Sequence, residues 1–268
     1  MFITMTYIDN KTYCDLFSYI SHEVEHNIEV FYKSTTLPKW NGKVLGINEN
    51  VPIELLKKIE FSNMDFSLGL SLPELNMPER KKAIRRPPSC RSFSDKKIDY
   101  QLLLECLSNA MTSDYNGRRE YSSAGGLYAT EIFIAIDSHC IFNAPENLKS
   151  GYYYLDNNMG KLVLISEMDS CELKSYIMSD DSYFKSSSFQ VITVINTPKS
   201  IFKYKERGFR NSMIEIGAIH HILREVFSDK NIYSCESAEF DDHRLLCGLK
   251  LNPRVFKPIL VQHFGYKK

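Results

Sequence analysis

Apolar residues along this chain follow two rhythms, one near 3.6 residues and one of two or less, and the change from one to the other maps the elements. In "YCDLFSYISHEVEHNIEVFY", Leu16, Phe17, Ile20, Val24, Ile28 and Phe31 recur at i, i+3 and i+4, which predicts one amphipathic helix. "VPIELLKKIEF" predicts a short helix with Pro52 in its first turn. From about residue 62 to 90 the periodicity fades and four prolines occur, so a connector is expected, with a division near residue 80. Next, "DYQLLLECLSNAMT" predicts a helix capped by Asp99. "ATEIFIAID" reads as a strand, and "GYYYLD" and "GKLVLIS" as two strands joined by the turn residues "NNMG". "MDSCELKSYIMS" and "DDSYFKSS" predict helical or irregular structure. "FQVITVIN" is apolar without alternation, as a central strand covered on both faces would be. The longest helix is expected over "FRNSMIEIGAIHHILREVFS", its stripe being Met213, Ile216, Ile219 or His220, Leu223 and Phe227; "FKPILVQHFG" closes as a strand. Helices that alternate with strands and outnumber them place the chain in the α+β class.

Composition narrows the function classes. The 268 residues are 43% hydrophobic, enough for a sizeable core. Lys plus Arg and Asp plus Glu both number 33, so there is no basic footprint for nucleic acid and no polybasic membrane anchor. No window approaches the roughly 18 apolar residues of a membrane span, and "MFITMTYIDN" lacks a signal-peptide pattern, so a cytoplasmic protein is expected. Seven cysteines, widely spaced and without a CxxC pair, are expected to be reduced thiols, buried or half-buried, with neither a zinc site nor a cysteine nucleophile.

Several stretches can carry chemistry. The small-residue loop of "YSSAGGLYATEIFIAID", Ser122 to Gly126, permits close approach by a planar ligand or another backbone; it also suits an ordinary turn. It is neither a P-loop nor a dinucleotide fingerprint, because its glycines precede a strand. Ser89 and Arg91 in "PPSCRSFS" offer a hydroxyl and a guanidinium fork for a phosphate monoester, or are exposed residues ahead of a helix. His220 and His221 point about 100° apart on a helix and cannot share one metal, so a structural role is expected. "FDDHR", Asp241 to Arg244, reads as a loop or helix cap. No metal site is assigned. Between the central strand and the longest helix, "SIFKYKERGF" sets Lys203 beside Tyr204, either in a solvated charge run or in a site.

Taken in order, "RRPPSCRSFS", "YSSAGGLYATEIFIAI", "LKSGYYYLDNNMGKLVLIS", "FKYKERGFRNSMIEIGAIHHIL" and "AEFDDHRLLCGLKLNPRVFKPILVQHFG" resemble successive blocks of the SagB-type dehydrogenases. These are flavin enzymes of the nitroreductase superfamily, and the likeness is strongest to the dehydrogenase subunits of microcin-type thiazole/oxazole synthetases. It spans roughly residues 80–268. It implies an N-terminal helical extension and connector over 1–80 and an FMN-dependent dehydrogenase domain over 81–268. The implied fold is α+β, nitroreductase-like, with a mostly antiparallel central sheet flanked by helices. The resemblance further implies FMN bound at a homodimer interface and oxidation of peptide thiazolines and oxazolines to thiazoles and oxazoles. The partners would be a precursor peptide and the cyclodehydratase subunits of a synthetase complex. By the same likeness Lys203 and Tyr204 are catalytic. Ser89 and Arg91 lie near the flavin phosphate, Ser123, Ala124 and Gly125 lie along the isoalloxazine, and Ser237, Ala238 and Glu239 pass near the ring.

The chain departs from that pattern at three places. Ser122 stands where proline is usual, Pro87 and Pro88 displace an arginine and leave Arg85 or Arg86 as substitutes, and Ala238–Glu239 lacks a glycine. Aromatising an azoline removes a proton and a hydride; no side chain accepts a hydride, so a flavin must. A free lysine titrates near 10.4, so Lys203 acts as a base only if desolvation or cations such as Lys205, Arg207 and Arg210 favour its neutral form, while Tyr204 orients the ring or relays a proton. Two alternatives remain: a general NAD(P)H-dependent nitro or quinone reductase, and a non-catalytic scaffold subunit.

Overall fold

The computed structural model describes residues 15–36, 39–40, 43–44, 51–60, 75–80, 86–177, 184 and 186–268. Cys14, Arg85 and most of "DDSYFKSS" lie outside the described residues. In chain order the elements are α1 (His22–Thr35), β1 (Lys39–Trp40), β2 (Lys43–Val44), α2 (Ile53–Glu60), β3 (Ile98–Asp99), α3 (Tyr100–Met111), β4 (Thr130–Ile136), β5 (Ile141–Phe142), β6 (Gly151–Asp156) and β7 (Lys161–Glu167). There follow α4 (Ser170–Ile177), β8 (Phe189–Asn196), α5 (Thr197–Tyr204), α6 (Glu206–Ser228), β9 (Tyr233–Ser237), α7 (Asp242–Gly248) and β10 (Phe256–Gly265).

Six strands form one sheet in the order β7-β6-β4-β8-β10-β9, and every neighbouring pair is antiparallel. This is the α+β architecture expected, although strands outnumber α-helices among the described residues. The side chains of β4 explain its unbroken apolar run: Ile132, Ile134 and Ile136 join one core cluster, Phe133 and Ala135 the other. On the first face α3 and α6 contribute Leu103, Leu107, Ile219, Leu223 and Phe227; on the second, α4 and α7 contribute Leu173, Ile177 and Leu245, with Leu249 at the C-cap of α7. All eight residues of β8 are buried, and the strand is central as expected. Asp99 caps α3 by accepting from the backbone N–H of Leu102 at 3.1 Å.

The N-terminal pattern is corrected in one respect. The single helix expected there is broken at Ser21, which adopts an extended conformation and caps α1 through its hydroxyl, accepting from Val24 N–H. Val24, Ile28 and Tyr32 of α1 then pack with Ile195, Ile201, Phe209 and Ile216 of β8, α5 and α6. Tyr32 donates to Asp242 and to the Pro258 carbonyl, and the buried Lys257 amine pairs with Glu29. This helix is therefore seated against the elements that carry Lys203 and Tyr204.

Candidate functional site

Lys203 and Tyr204 occupy the last turn of a helix that the sequence reading did not anticipate. Asn196 ends β8 and caps α5, its side-chain oxygen accepting from Lys199 N–H at 3.4 Å, and Pro198 fits the first turn. The chain leaves α5 through Lys205, a non-glycine residue at φ 52°, and enters α6 at once. The two helices cross so tightly that a Cβ on Gly208 would stand 2.0 Å from the Ser200 carbonyl oxygen. Only glycine fits there. The result is an elbow that projects Lys203 and Tyr204 outward.

They project onto the small-residue loop. Ser123 accepts from the Tyr128 N–H at 2.8 Å and closes the loop on itself; Gly125 sits at φ 66° and Gly126 at φ 65°. A Cβ on Gly125 would lie 2.6 Å from Tyr204 Oη and 3.1 Å from Lys203 Nζ, whereas one on Gly126 would meet nothing within 4 Å. The loop backbone thus touches both side chains on one flank and opens into free space on the next. Lys203 Nζ lies 5.3 Å from the centroid of the Tyr204 ring; the lysine is exposed, the tyrosine half-buried.

A small cleft lies beside Tyr204, lined by Ser123, Ala124, Asn211, Ser212 and Glu215. The helical spacing of Gly208, Ser212 and Glu215 puts them on one polar face of α6. Glu215 is 4% exposed, and its Oε1 accepts the Thr130 N–H at 3.1 Å, tying α6 to the start of β4 just past the loop. Close by, the Arg119 guanidinium lies 4.3 Å from the Tyr128 ring and donates to Tyr121 Oη at 2.8 Å. Burial pushes the Tyr121 phenol up to about 12, against the pull of Arg119. Glu131 accepts from Tyr154 Oη at 2.9 Å and pairs with Lys199 at 3.5 Å. Sequence reasoning singled out none of Glu215, Arg119 or Glu131. The partner of Glu215 is 85 residues away, and only a charge inside an apolar helical stripe hinted at it.

The remaining site candidates gather elsewhere. The Cys90 N–H donates to the Ser234 carbonyl at 3.0 Å, which lays the Ser89–Arg91 segment along β9. Ser89 and Arg91 are exposed, and Ser89 Oγ accepts from Arg86 Nη2 at 3.2 Å, which brings Arg86 to this block. At the end of β9, Ser237 Oγ accepts the Glu239 N–H at 3.0 Å, and Ala238 and Glu239 are exposed. Ser123, Ala124 and Gly125 thus meet Lys203 and Tyr204, while Ser89 and Arg91 share a strand edge that leads to residues 237–239. Helix α6 runs from the first place, at Glu215, toward the second, at Arg224.

His220 is structural, as its position in the helix implied: Nε2 meets Thr193 Oγ1 at 2.9 Å and Nδ1 meets Gln262 Oε1 at 2.8 Å. Burial drops its pKa to about 4, so the ring is neutral near pH 7. Asp241 caps α7 by accepting from Arg244 N–H at 3.0 Å, the role expected for "FDDHR". Cys90, Cys106 and Cys235 are buried thiols and Cys140 is half-buried, but Cys171 and Cys247 are exposed, contrary to expectation; both sit on outward faces of short helices.

No family model matches the chain. It is 28% identical over 226 residues to the microcin B17-processing protein McbC of Escherichia coli, a match spanning 80% of each sequence. It also superposes on a chain of the E. coli microcin synthetase McbBCD complex with truncated pro-MccB17 bound, at TM-score 0.83, with 23% identity and 99% of both chains covered. The chain is a McbC homologue with a nitroreductase-like fold. A putative nitroreductase of Ralstonia eutropha shares that fold at TM-score 0.57 and 18% identity, covering 72% of this chain and 88% of its own. The resemblance to SagB-type dehydrogenases, drawn from five blocks in order, is thereby borne out, and so is the nitroreductase-like architecture. Within the McbC-like superposition the N-terminal helix belongs to the shared fold, because the match reaches almost the whole chain. Among the described residues no helix is long and apolar enough to cross a membrane.

Proposed function

We propose that this McbC homologue is an FMN-dependent dehydrogenase that oxidises peptide thiazolines and oxazolines to thiazoles and oxazoles as a ribosomally made precursor peptide matures. It would do so in the cytoplasm as a homodimer, with cyclodehydratase subunits of a synthetase complex as partners. The observation that carries the reading is the meeting of Gly125 with Lys203 and Tyr204: a basic amine and a phenol converge on a glycine loop with open space on its next flank.

The residues present fit FMN. The loop Ser123–Gly125 offers backbone without bulk, where a flat ring requires close approach, and a cradle beside Gly126 that a Cβ would enter unopposed. Ser89 and Arg91 offer a hydroxyl and a guanidinium for the phosphate, supported by Arg86. Ser237, Ala238 and Glu239 lie at the end of the strand that this block lines. When bound, the flavin supplies the acceptor for the hydride that no side chain can take.

The chain's own work is to handle a proton. Lys203 Nζ takes it from the azoline ring carbon, and the Tyr204 hydroxyl, held beside Gly125, fixes the orientation of the ring or passes the proton on. A lysine amine accepts a proton only when neutral. Lys203 is exposed, so its Nζ is open to a substrate ring brought to the loop.

The test compares Lys203→Ala and Tyr204→Phe with the parent protein on an azoline-bearing peptide, reading the loss of two hydrogens per ring by mass spectrometry. A well-placed base contributes about 10²–10⁴ in rate, and a loss of that order is expected for Lys203→Ala with the yellow flavin still bound. Full oxidation by flavin-loaded Lys203→Ala would overturn the assignment. Rapid bleaching of the flavin by NAD(P)H without azoline oxidation would point to a nitro or quinone reductase instead.

A further inference from the structure

We infer that Arg224 is a further ligand of the flavin phosphate, held in place by a buried hydrogen-bond chain that runs from the central strand to the Ser89–Arg91 corner; this rests on the FMN reading above.

The chain of contacts begins at Thr193 in β8. Its hydroxyl meets His220 Nε2 at 2.9 Å, His220 Nδ1 meets Gln262 Oε1 at 2.8 Å, and Gln262 Nε2 donates to Glu236 Oε1 at 3.2 Å. Glu236 in turn pairs with the Arg224 guanidinium. Thr193, His220 and Gln262 are each 2% exposed or less, so this series is shielded from water and fixes the carboxylate at its end. Glu236 lies on β9 two residues beyond Ser234, the residue that receives the Cys90 N–H, so Arg224 comes to the same strand edge as Ser89 and Arg91.

The charge there is unbalanced. Arg86 lies close enough to raise the cost of charging Arg224, and both Arg91 and Arg224 act on the Cys235 thiol, to which Ser89 is also bonded. Against the three guanidiniums of Arg86, Arg91 and Arg224 stand two carboxylates, Glu236, which pairs with Arg224, and Glu225. Like charges gathered this way are costly unless an anion joins them, and Glu236 leaves most of the five donors of Arg224 free. A phosphate monoester matches them: up to two negative charges, and oxygens spaced for guanidinium forks. The Arg224 side chain is 13% exposed, so its hydrogen bonds to an anion are only weakly screened. Nothing in the sequence marks Arg224, because it sits in α6 between Leu223 and Phe227 of the apolar stripe as an ordinary helix cation.

FMN and riboflavin differ in the phosphate alone, which makes the comparison decisive. Affinities of the parent chain, Arg224→Gln and Arg224→Lys for both flavins are measured by quenching of flavin fluorescence. Inorganic phosphate serves as competitor, and thermal melting checks folding. Loss of a charge-assisted hydrogen bond corresponds to roughly 10- to 100-fold in affinity, so Arg224→Gln is expected to weaken FMN by about that factor while riboflavin is unchanged and phosphate no longer competes. Arg224→Lys, which keeps the charge and loses the fork, falls between. The inference is overturned if Arg224→Gln binds FMN as the parent does, if it loses both flavins equally, or if the parent itself fails to prefer FMN to riboflavin. A parent chain that binds neither flavin removes the FMN reading first and this inference with it.

Discussion

Replacing Gly125 with alanine separates the stability of this fold from its proposed chemistry. The added Cβ would stand 2.6 Å from Tyr204 Oη, against the 3.4 Å at which ordinary contact begins, so the hydroxyl must retreat by about 0.8 Å; Lys203 Nζ, at 3.1 Å, must also give way. Both atoms are the far ends of flexible side chains, so the fold absorbs the collision cheaply. The backbone cost is that of an L-residue at φ 66°, roughly 1–2 kcal/mol, or about 2–8 °C in melting temperature for a chain of this size. Catalysis is less forgiving, because a displacement near 1 Å in a reacting group costs about 10²-fold. Gly126→Ala is the control for folding: its φ is 65° and its Cβ meets no protein atom within 4 Å. Because that Cβ enters the space assigned to the flavin ring, flavin occupancy is measured and rates are taken per bound flavin. The two variants should therefore melt alike while only Gly125→Ala loses azoline oxidation, by about two orders of magnitude per bound flavin. Equal rates in the two, with flavin present in both, would refute the claim that the lysine and tyrosine act where this loop holds them.

Two further outcomes follow from the buried polar groups. Glu215→Gln keeps an oxygen to accept the Thr130 N–H and should retain both fold and activity, whereas Glu215→Ala leaves that donor unpaired and should cost about 1–3 kcal/mol in urea melts, with a matching fall in oxidation; an alanine variant as stable and active as the parent would show that the tie is idle. Burial lowers His220 to about 4 and His263 to about 3, so between pH 6.5 and these values the unfolded chain binds protons that the folded chain refuses. Stability should therefore fall on acidification by up to ~1.4 kcal/mol per pH unit for each ring, and a urea midpoint constant from pH 6.5 to 4.5 would contradict that.

The elements legible in the sequence were those whose signal is local. β4 and β8 declared themselves through runs covered on both faces, α6 through its stripe, and α3 and α7 through an aspartate at the N-cap. α5 was passed over because it follows β8 without a polar break, although Asn196 and Pro198 mark its start. β9 was missed because "YSCES" has little apolar content of its own; its edge is covered by residues 89–91 from far upstream. At the site the block resemblance pointed to Lys203 and Tyr204, yet only the fold sets them against Gly125. Arg119, Glu215 and Arg224 were illegible for a different reason. A charge on a helix or loop looks solvated until a distant partner, such as Thr130 for Glu215, reveals that it faces inward.

The elbow at Lys205 makes the spacing of this region stricter than its spelling. Helix α5 is pinned at its start by Asn196 and stopped at its end by Lys205, at positive φ, nine positions later. One residue inserted between those points would swing Tyr204 about 100° around the axis and carry it about 1.5 Å along, away from the loop. Many side chains within α5 can vary, but a homologue that gained or lost a residue there would have to assemble the same centre with a different bend.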